Sequence, residues 1–225
     1  VRTFSQLRAH CAYPLTLEAL GPRKYARDIA ARKGSDLHAR IDQWVRTGTL
    51  DLVGAVDEVR AWAETMSRGW SPPPGCRSEW ALGLTRDALR GVETDEPDPH
   101  VYSARGGESL VTAGRCDLAW VVPGVVDVLH VADVKTGRTY LGQPARIPQL
   151  AACALAARWV LRAPFPLRVG VYYARLGVWD WETVETETDL VEVVRAAVDL
   201  PDAPQVGGWC LGCYNAKECE AYPRG

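Results

Sequence analysis

The spacing of hydrophobic residues changes along the chain. From Arg23 to about Arg46, Leu37, Ile41, Trp44 and Val45 recur at i, i+4, i+7 and i+8, the stripe of an amphipathic helix. Upstream, residues 4–20 read as one or two short helices, with Ser5 as a cap and Gly21 and Pro22 closing the segment. A further helix is expected over about Asp51 to Met66, and the prolines between Ser71 and Gly75 then break the chain. Glu79 to Leu84 reads as a strand with imperfect alternation. Glu93 to Pro99 is acidic and interrupted by proline, and reads as an exposed loop.

Beyond this point the pattern sharpens. Arg115 to Val122 and Val126 to Lys135 are β-rich runs separated by Pro123 and Gly124, so they predict a hairpin. An alanine-rich helix is expected over about Pro144 to Leu161, strands over Leu167 to Ala174 and Val178 to Thr183, and a helix near Asp189 to Val198. From Pro201 the chain reads as an irregular tail. Helices, strands, helix, strands, helix is the order of an α/β domain with a mixed central sheet flanked by helices.

With 225 residues and 47% hydrophobic content, one sizeable core can be buried. That predicts a single domain over 1–225, with a helical part (1–66), an α/β core (77–200) and a cysteine-bearing tail (201–225). No apolar run is long enough to span a bilayer, and Val1 to His10 lack a signal-peptide pattern. The expectation is a cytoplasmic protein without a membrane partner. Net charge is only −2, but residues 1–48 carry about +5 and the remainder about −7. This asymmetry fits a phosphate-facing surface opposite a carboxylate site, and equally an arginine-rich solvated helix face. Seven cysteines, an odd number, do not suggest a disulfide framework; in a reducing compartment clustered cysteines more often bind metal.

The hairpin carries the candidate chemistry. Asp133 and Lys135 are two apart on one strand and share a face, while Val134 points to the other. If the loop spans Pro123 to Val125, Asp117 opposes Val131 and lies one diagonal step from Asp133 on the same face. A two-residue loop would put the carboxylates on opposite faces. Two such carboxylates repel unless a cation lies between them, and hard oxygen ligands suit Mg²⁺ or Mn²⁺. The competing reading is a surface ion pair of Asp133 with Lys135, which contributes ~0–1 kcal/mol.

The string Val131-Ala-Asp-Val-Lys-Thr-Gly-Arg138, preceded by Gly114-Arg-Cys-Asp117 and followed by Gln149-Leu-Ala-Ala-Cys153, resembles the PD-(D/E)XK nucleases of the RecB type. Gly34-Ser-Asp-Leu-His38 matches that family's upstream glycine and histidine. The resemblance spans Ser5 to Cys219 and implies a restriction-endonuclease-like core. It further implies that His38, Asp117 and Asp133 are ligands of a divalent ion, with the Val134 carbonyl as another. Lys135 would position or activate the attacking water, and Gln149 would orient the lysine or that water. The implied reaction is metal-dependent hydrolysis of phosphodiester bonds in DNA, acting on single strands or free ends. Cys153 stands where the family usually has tyrosine. Glu79 is the candidate for the glutamate often found on the family's first strand, set against a plain reading as an exposed strand residue.

Cys210-x₂-Cys213-x₅-Cys219 offers three thiolates in an irregular segment, and a fourth ligand would come from Cys11, Cys76, Cys116 or Cys153. Cys11 lies in a segment, Phe4 to Pro14, that resembles the N-terminus of the CRISPR-associated iron–sulfur exonucleases, except for Ala12 where proline is usual. In that branch an N-terminal cysteine joins a C-terminal trio of this spacing. The resemblance therefore implies a 4Fe–4S cluster on Cys11, Cys210, Cys213 and Cys219 that clasps the chain ends. Zinc is the rival occupant. Cys76, Cys116 and Cys153 read as small buried residues. Arg23, Lys24, Arg27, Arg32 and Lys33 are candidates to follow a DNA backbone. Protein partners in a recombination, phage or CRISPR adaptation complex fit the same resemblance. The alternatives are a non-catalytic DNA-binding or assembly module, and a zinc-clasped RNA-binding protein.

Overall fold

The computed structural model describes residues 2–3, 28–98, 101–137 and 142–199. The N-terminal helices expected over residues 4–20 lie outside these residues, as do Cys11 and the tail cysteines.

Among the described residues, eight strands form one mixed sheet. In chain order they are β1 (Arg2–Thr3), β2 (Arg77–Thr85), β3 (Gly91–Asp98), β4 (Val101–Ala104), β5 (Leu110–Val122), β6 (Val128–Lys135), β7 (Leu167–Tyr173) and β8 (Val178–Val184). Their spatial order is β4-β3-β2-β5-β6-β7-β8, with β1 running parallel beside β5. Every other pair is antiparallel except β6 with β7. That parallel pair needs a crossover, which the helix between the two strands supplies.

Among the described residues, four α-helices cover the sheet: α1 (Asp28–Thr47), α2 (Asp57–Gly69), α3 (Pro148–Leu161) and α4 (Glu187–Val198). On one face Leu37, Ile41, Val59, Trp62 and Met66 of α1 and α2 pack on Leu118, Trp120, Ala132 and Val134. On the other, α3 and α4 pack on Leu82, Leu129, Val131 and Val169. The central helix α3 starts with Pro148, whose missing N–H costs nothing at a first helical position. Its residues 150–157 are all buried, which is why its sequence is apolar nearly all round rather than striped. Close approach is part of this packing. A Cβ on Gly91 would lie 2.3 Å from the Ala156 carbonyl oxygen, so only glycine lets β3 cross α3 at this distance.

Two expectations change. The described part of the acidic segment, 93–98, is not a loop. Residues 91–98 form β3, where Arg77 and Arg105 pair with Glu93, and Arg115 with Glu96. Cross-strand arginines make a run of acids tolerable in a strand. The second helix begins at Asp57 rather than Asp51, because Gly54 adopts a positive φ (73°) and breaks the backbone first. No helix among the described residues is long and apolar enough to cross a membrane.

Candidate active site

The hairpin loop is longer than its turn signal suggests. Val122 pairs with Val128 and Leu118 with Ala132, leaving 123–127 as the loop, again odd in length. Parity is therefore preserved. Continued by one residue, this register sets Asp117 across from Asp133 itself rather than from Val131. The backbone ladder between β5 and β6 stops at that pair, and the Val134 amide donates instead to Asp117 Oδ2 at 2.8 Å.

A change of face in the strands explains how Asp117 comes free to do this. Cys116 packs with the α3 layer and Leu118 with the α1 layer, although residues two apart on a regular strand share a face. On β2 the same change occurs. Ser78, opposite Leu118, bonds Asp42 of α1 at 2.6 Å, whereas Trp80, opposite Cys116, packs with the α3 layer. Between them Glu79 takes φ 46°, a left-handed conformation rare for a residue with a side chain. Glu79 and Asp117 thus occupy the intervening pair, at the point where both strands turn over.

His38 reaches this point from α1. Its Nδ1 lies 3.0 Å from Glu79 Oε1 and 3.7 Å from Asp117 Oδ2, and its Nε2 lies 3.1 Å from the Val134 carbonyl oxygen. Both ring nitrogens face acceptors, so both carry protons and the ring is an imidazolium. Burial alone would lower its pKa, but Asp117, Glu79 and Asp133 outweigh burial and raise it to about 9. Burial and the neighbouring Asp133 push the Asp117 carboxyl well above its usual range, against His38, the Val134 amide and Lys135. Burial also acts against ionised Glu79, yet His38 and Arg115 bring its pKa below the usual value.

Asp133 forms the second half of the site. It is 4% exposed, and its Oδ1 accepts Lys135 Nζ at 3.0 Å and Gln149 Nε2 at 3.1 Å. Lys135 Nζ also donates to Gln149 Oε1 at 3.2 Å, closing a three-membered ring of contacts. Oδ2 of Asp133 lies 2.8 Å from the ammonium as an ion pair but has no well-aligned hydrogen bond. Burial opposes charge on Lys135, but Asp133 and Asp117 overcome it, so its pKa is raised and it stays an ammonium.

Of the residues singled out from sequence, His38, Asp117, Asp133, Val134, Lys135 and Gln149 all meet here. The grouping differs in one respect. The donor atoms that lie within 4.8 Å of one another come from His38, Glu79 and Asp117, whereas Asp133 sits with Lys135 and Gln149. Two carboxylates and an imidazole are a donor set that Mg²⁺ or Mn²⁺ accepts. Glu79 is not the exposed strand residue of the plain reading; its conformation could not be seen in one dimension. Glu96, also at this site, carries no sequence signal of its own, whereas Arg115 stands two residues before Asp117 in the Gly114-Arg-Cys-Asp117 string.

Cys153 and Cys116 are buried thiols in mutual contact behind Asp117, and Cys76 is partly exposed. Cys153 Sγ lies 3.8 Å from the Arg115 carbonyl oxygen. Cys11, Cys210, Cys213 and Cys219 lie outside the described residues. Above the site opens a cleft of about 820 Å³, lined among others by Ser35, His38, Asp42, Glu79 and Arg115.

No family model matches the chain, and no curated protein matches it. Among solved structures, the crystal structure of SSO0001 matches at 12% identity with a TM-score of 0.47, covering 99% of this chain and 86% of that one. A likeness of this degree identifies neither family nor activity.

Proposed function

We propose that this chain is a metal-dependent deoxyribonuclease of the PD-(D/E)XK type that hydrolyses phosphodiester bonds in single-stranded DNA or at DNA ends. The observation that supports the reading most is the convergence of His38, Glu79 and Asp117 donors within 4.8 Å, beside the Asp133–Lys135–Gln149 ring. His38, Glu79 and Asp117 would hold the ion, with Asp133 alongside. When bound, a divalent ion there supplies electrophilic stabilisation of phosphate oxygens and a lower pKa for water.

The chain's own groups have separable tasks. Lys135 is kept protonated by Asp133, so it acts as a donor and a positive charge toward the phosphate rather than as a general base. Gln149 holds Lys135 and Asp133 at once, fixing the ammonium against Asp133. Asp117 keeps the end of β6 in register through the Val134 amide.

Cleavage of end-labelled single-stranded DNA in Mn²⁺, by wild type against Asp133→Ala and Lys135→Ala, tests the reading. Cleavage by wild type and its loss in both variants is expected. Wild-type protein that binds DNA but never cleaves it would favour a non-catalytic assembly module instead. The cysteine clasp is a separate proposal, with Cys11, Cys210, Cys213 and Cys219 holding an iron–sulfur cluster. Brown, iron-loaded protein after anaerobic purification supports it, and colourless protein with stoichiometric zinc overturns it.

A further inference from the structure

The cleft above the site brings several carboxylates close together. Asp42, Glu79 and Glu96 line it, and Asp117 and Asp133 lie below. A polyanionic strand entering here meets like charges at close range, where they repel most strongly. Besides any ion, a cation of the protein must face the strand. Two arginines line the cleft. Arg46 is 70% exposed and pairs with Asp42 one turn earlier on its own helix, an arrangement common to solvated helix faces.

Arg115 is held differently. It stands on β5 two residues before Asp117, donates Nε to Glu96 Oε2 at 2.6 Å, and has Nη1 3.7 Å from Glu79 Oε2. Glu96, itself only 10% exposed, also receives the Tyr102 hydroxyl. The guanidinium is thus fixed along one edge by carboxylates from β2 and β3, while the side chain remains 51% exposed in the cleft. A planar fork with five donors, anchored on one side and open on the other, matches phosphate geometry better than a mobile surface cation.

We propose that Arg115 is a phosphate-binding residue of the cleft, taking a backbone phosphate of the substrate strand beside the His38, Glu79 and Asp117 donors. The proposal rests on the nuclease reading and adds the residue that recognises the substrate. Glu96 is its positioning residue, and the arginine's contact with Glu79 sets its distance from the site.

The test is steady-state cleavage of a labelled single-stranded oligonucleotide in Mn²⁺ over a salt series, with wild type, Arg115→Gln and Arg115→Lys of the full chain. Mn²⁺ binding without DNA is titrated in parallel. For Arg115→Gln, KM is expected to rise about tenfold or more, as for loss of a charge-assisted hydrogen bond, with kcat within about threefold. Its dependence of log KM on log salt should become shallower by about one. Mn²⁺ affinity without DNA should stay within about threefold, and Arg115→Lys should restore the salt slope and part of KM. Unchanged KM and slope would overturn the proposal. So would a fall in kcat together with weakened Mn²⁺ binding, the pattern of a residue that merely holds Glu79. An active wild type with an indifferent Arg115 overturns this inference alone; a wild type that neither binds nor cleaves DNA overturns the nuclease reading with it.

Discussion

Asp117 Oδ2 accepts the Val134 amide at 2.8 Å, and the same oxygen faces His38 at 3.7 Å. One atom therefore closes the hydrogen bonding of β6 and belongs to the candidate ion site. Structure and chemistry are coupled here, and substitution can separate them.

Asp117→Asn keeps an oxygen for the Val134 amide but removes a charge that repels Asp133. Its melting temperature is expected to equal or slightly exceed that of wild type, while stabilisation by Mn²⁺ and DNA cleavage are lost. Asp117→Ala leaves the buried amide unpaired and should cost about 1–3 kcal/mol besides. Thermal melts with and without Mn²⁺ distinguish them. Equal destabilisation by both substitutions would show that the hydrogen bond to Val134 contributes nothing.

Protonation and ion binding compete at His38. Its pKa in the ion-free fold is about 9, against an ordinary 6.5, so the charged ring stabilises that fold fully below 6.5. This contribution is lost as pH rises through about 9. The raised Asp117 pKa has the same sign, since ionising that carboxyl at higher pH also weakens the ion-free protein. A divalent ion requires the ring neutral and the carboxylates ionised, so its binding releases protons. Between pH 6.5 and about 9 the ion-free protein should lose stability while the shift produced by a fixed Mg²⁺ concentration grows. Melting curves over that range check both trends; a Mg²⁺ shift that shrinks with pH would contradict the assigned ligands.

The hairpin shows how far linear reasoning reaches. Parity alone requires an odd loop for Asp117 and Asp133 to share a face, and the loop is odd. Its length is misjudged because Pro123 and Gly124 mark where a turn begins, not where pairing resumes; the Gly124 amide bonds Asp127 at 3.3 Å, which carries the turn further. The acidic strand β3 is unreadable for a related reason. Its arginine partners, Arg77 of β2, Arg105 just after β4 and Arg115 of β5, stand 12–19 residues away, beyond the reach of a local pattern. Glu79 depends on a positive φ imposed by two strands changing face together, a property of the pair and of neither sequence alone.

Gln149 bridges Lys135 and Asp133, accepting from the one and donating to the other. Gln149→Leu keeps the size but removes both bonds, freeing the ammonium to swing on Asp133. Small misplacement of a catalytic group costs up to about a hundredfold in rate. On the proposed reading kcat should fall roughly tenfold to a hundredfold, with Mn²⁺ affinity nearly unchanged. Single-turnover cleavage together with a Mn²⁺ titration measures this, and a matching loss of Mn²⁺ affinity would instead put Gln149 in the ion site.

Gly34 sets how closely α1 approaches β6. It lies one turn before His38, and a Cβ there would stand 3.0 Å from Thr136 Oγ1, just past the end of β6. Glycine inside a helix costs roughly 0.5–1 kcal/mol relative to alanine, so the intrinsic preference favours replacing it. Contact with Thr136 opposes the replacement, because the helix must lift or the hydroxyl must turn aside. Lifting α1 lengthens the 3.1 Å contact of His38 Nε2 with the Val134 carbonyl and carries the ring away from Glu79 and Asp117. Gly34→Ala should therefore leave the melting temperature unchanged or slightly raised while weakening Mn²⁺ binding several-fold. Thr136→Ala removes the obstructing oxygen, so the double variant should recover Mn²⁺ affinity and keep the helix-propensity gain. A double-mutant cycle on Mn²⁺ affinity reads the coupling directly. Additive effects would mean that Gly34 matters for the helix alone, not for where His38 stands.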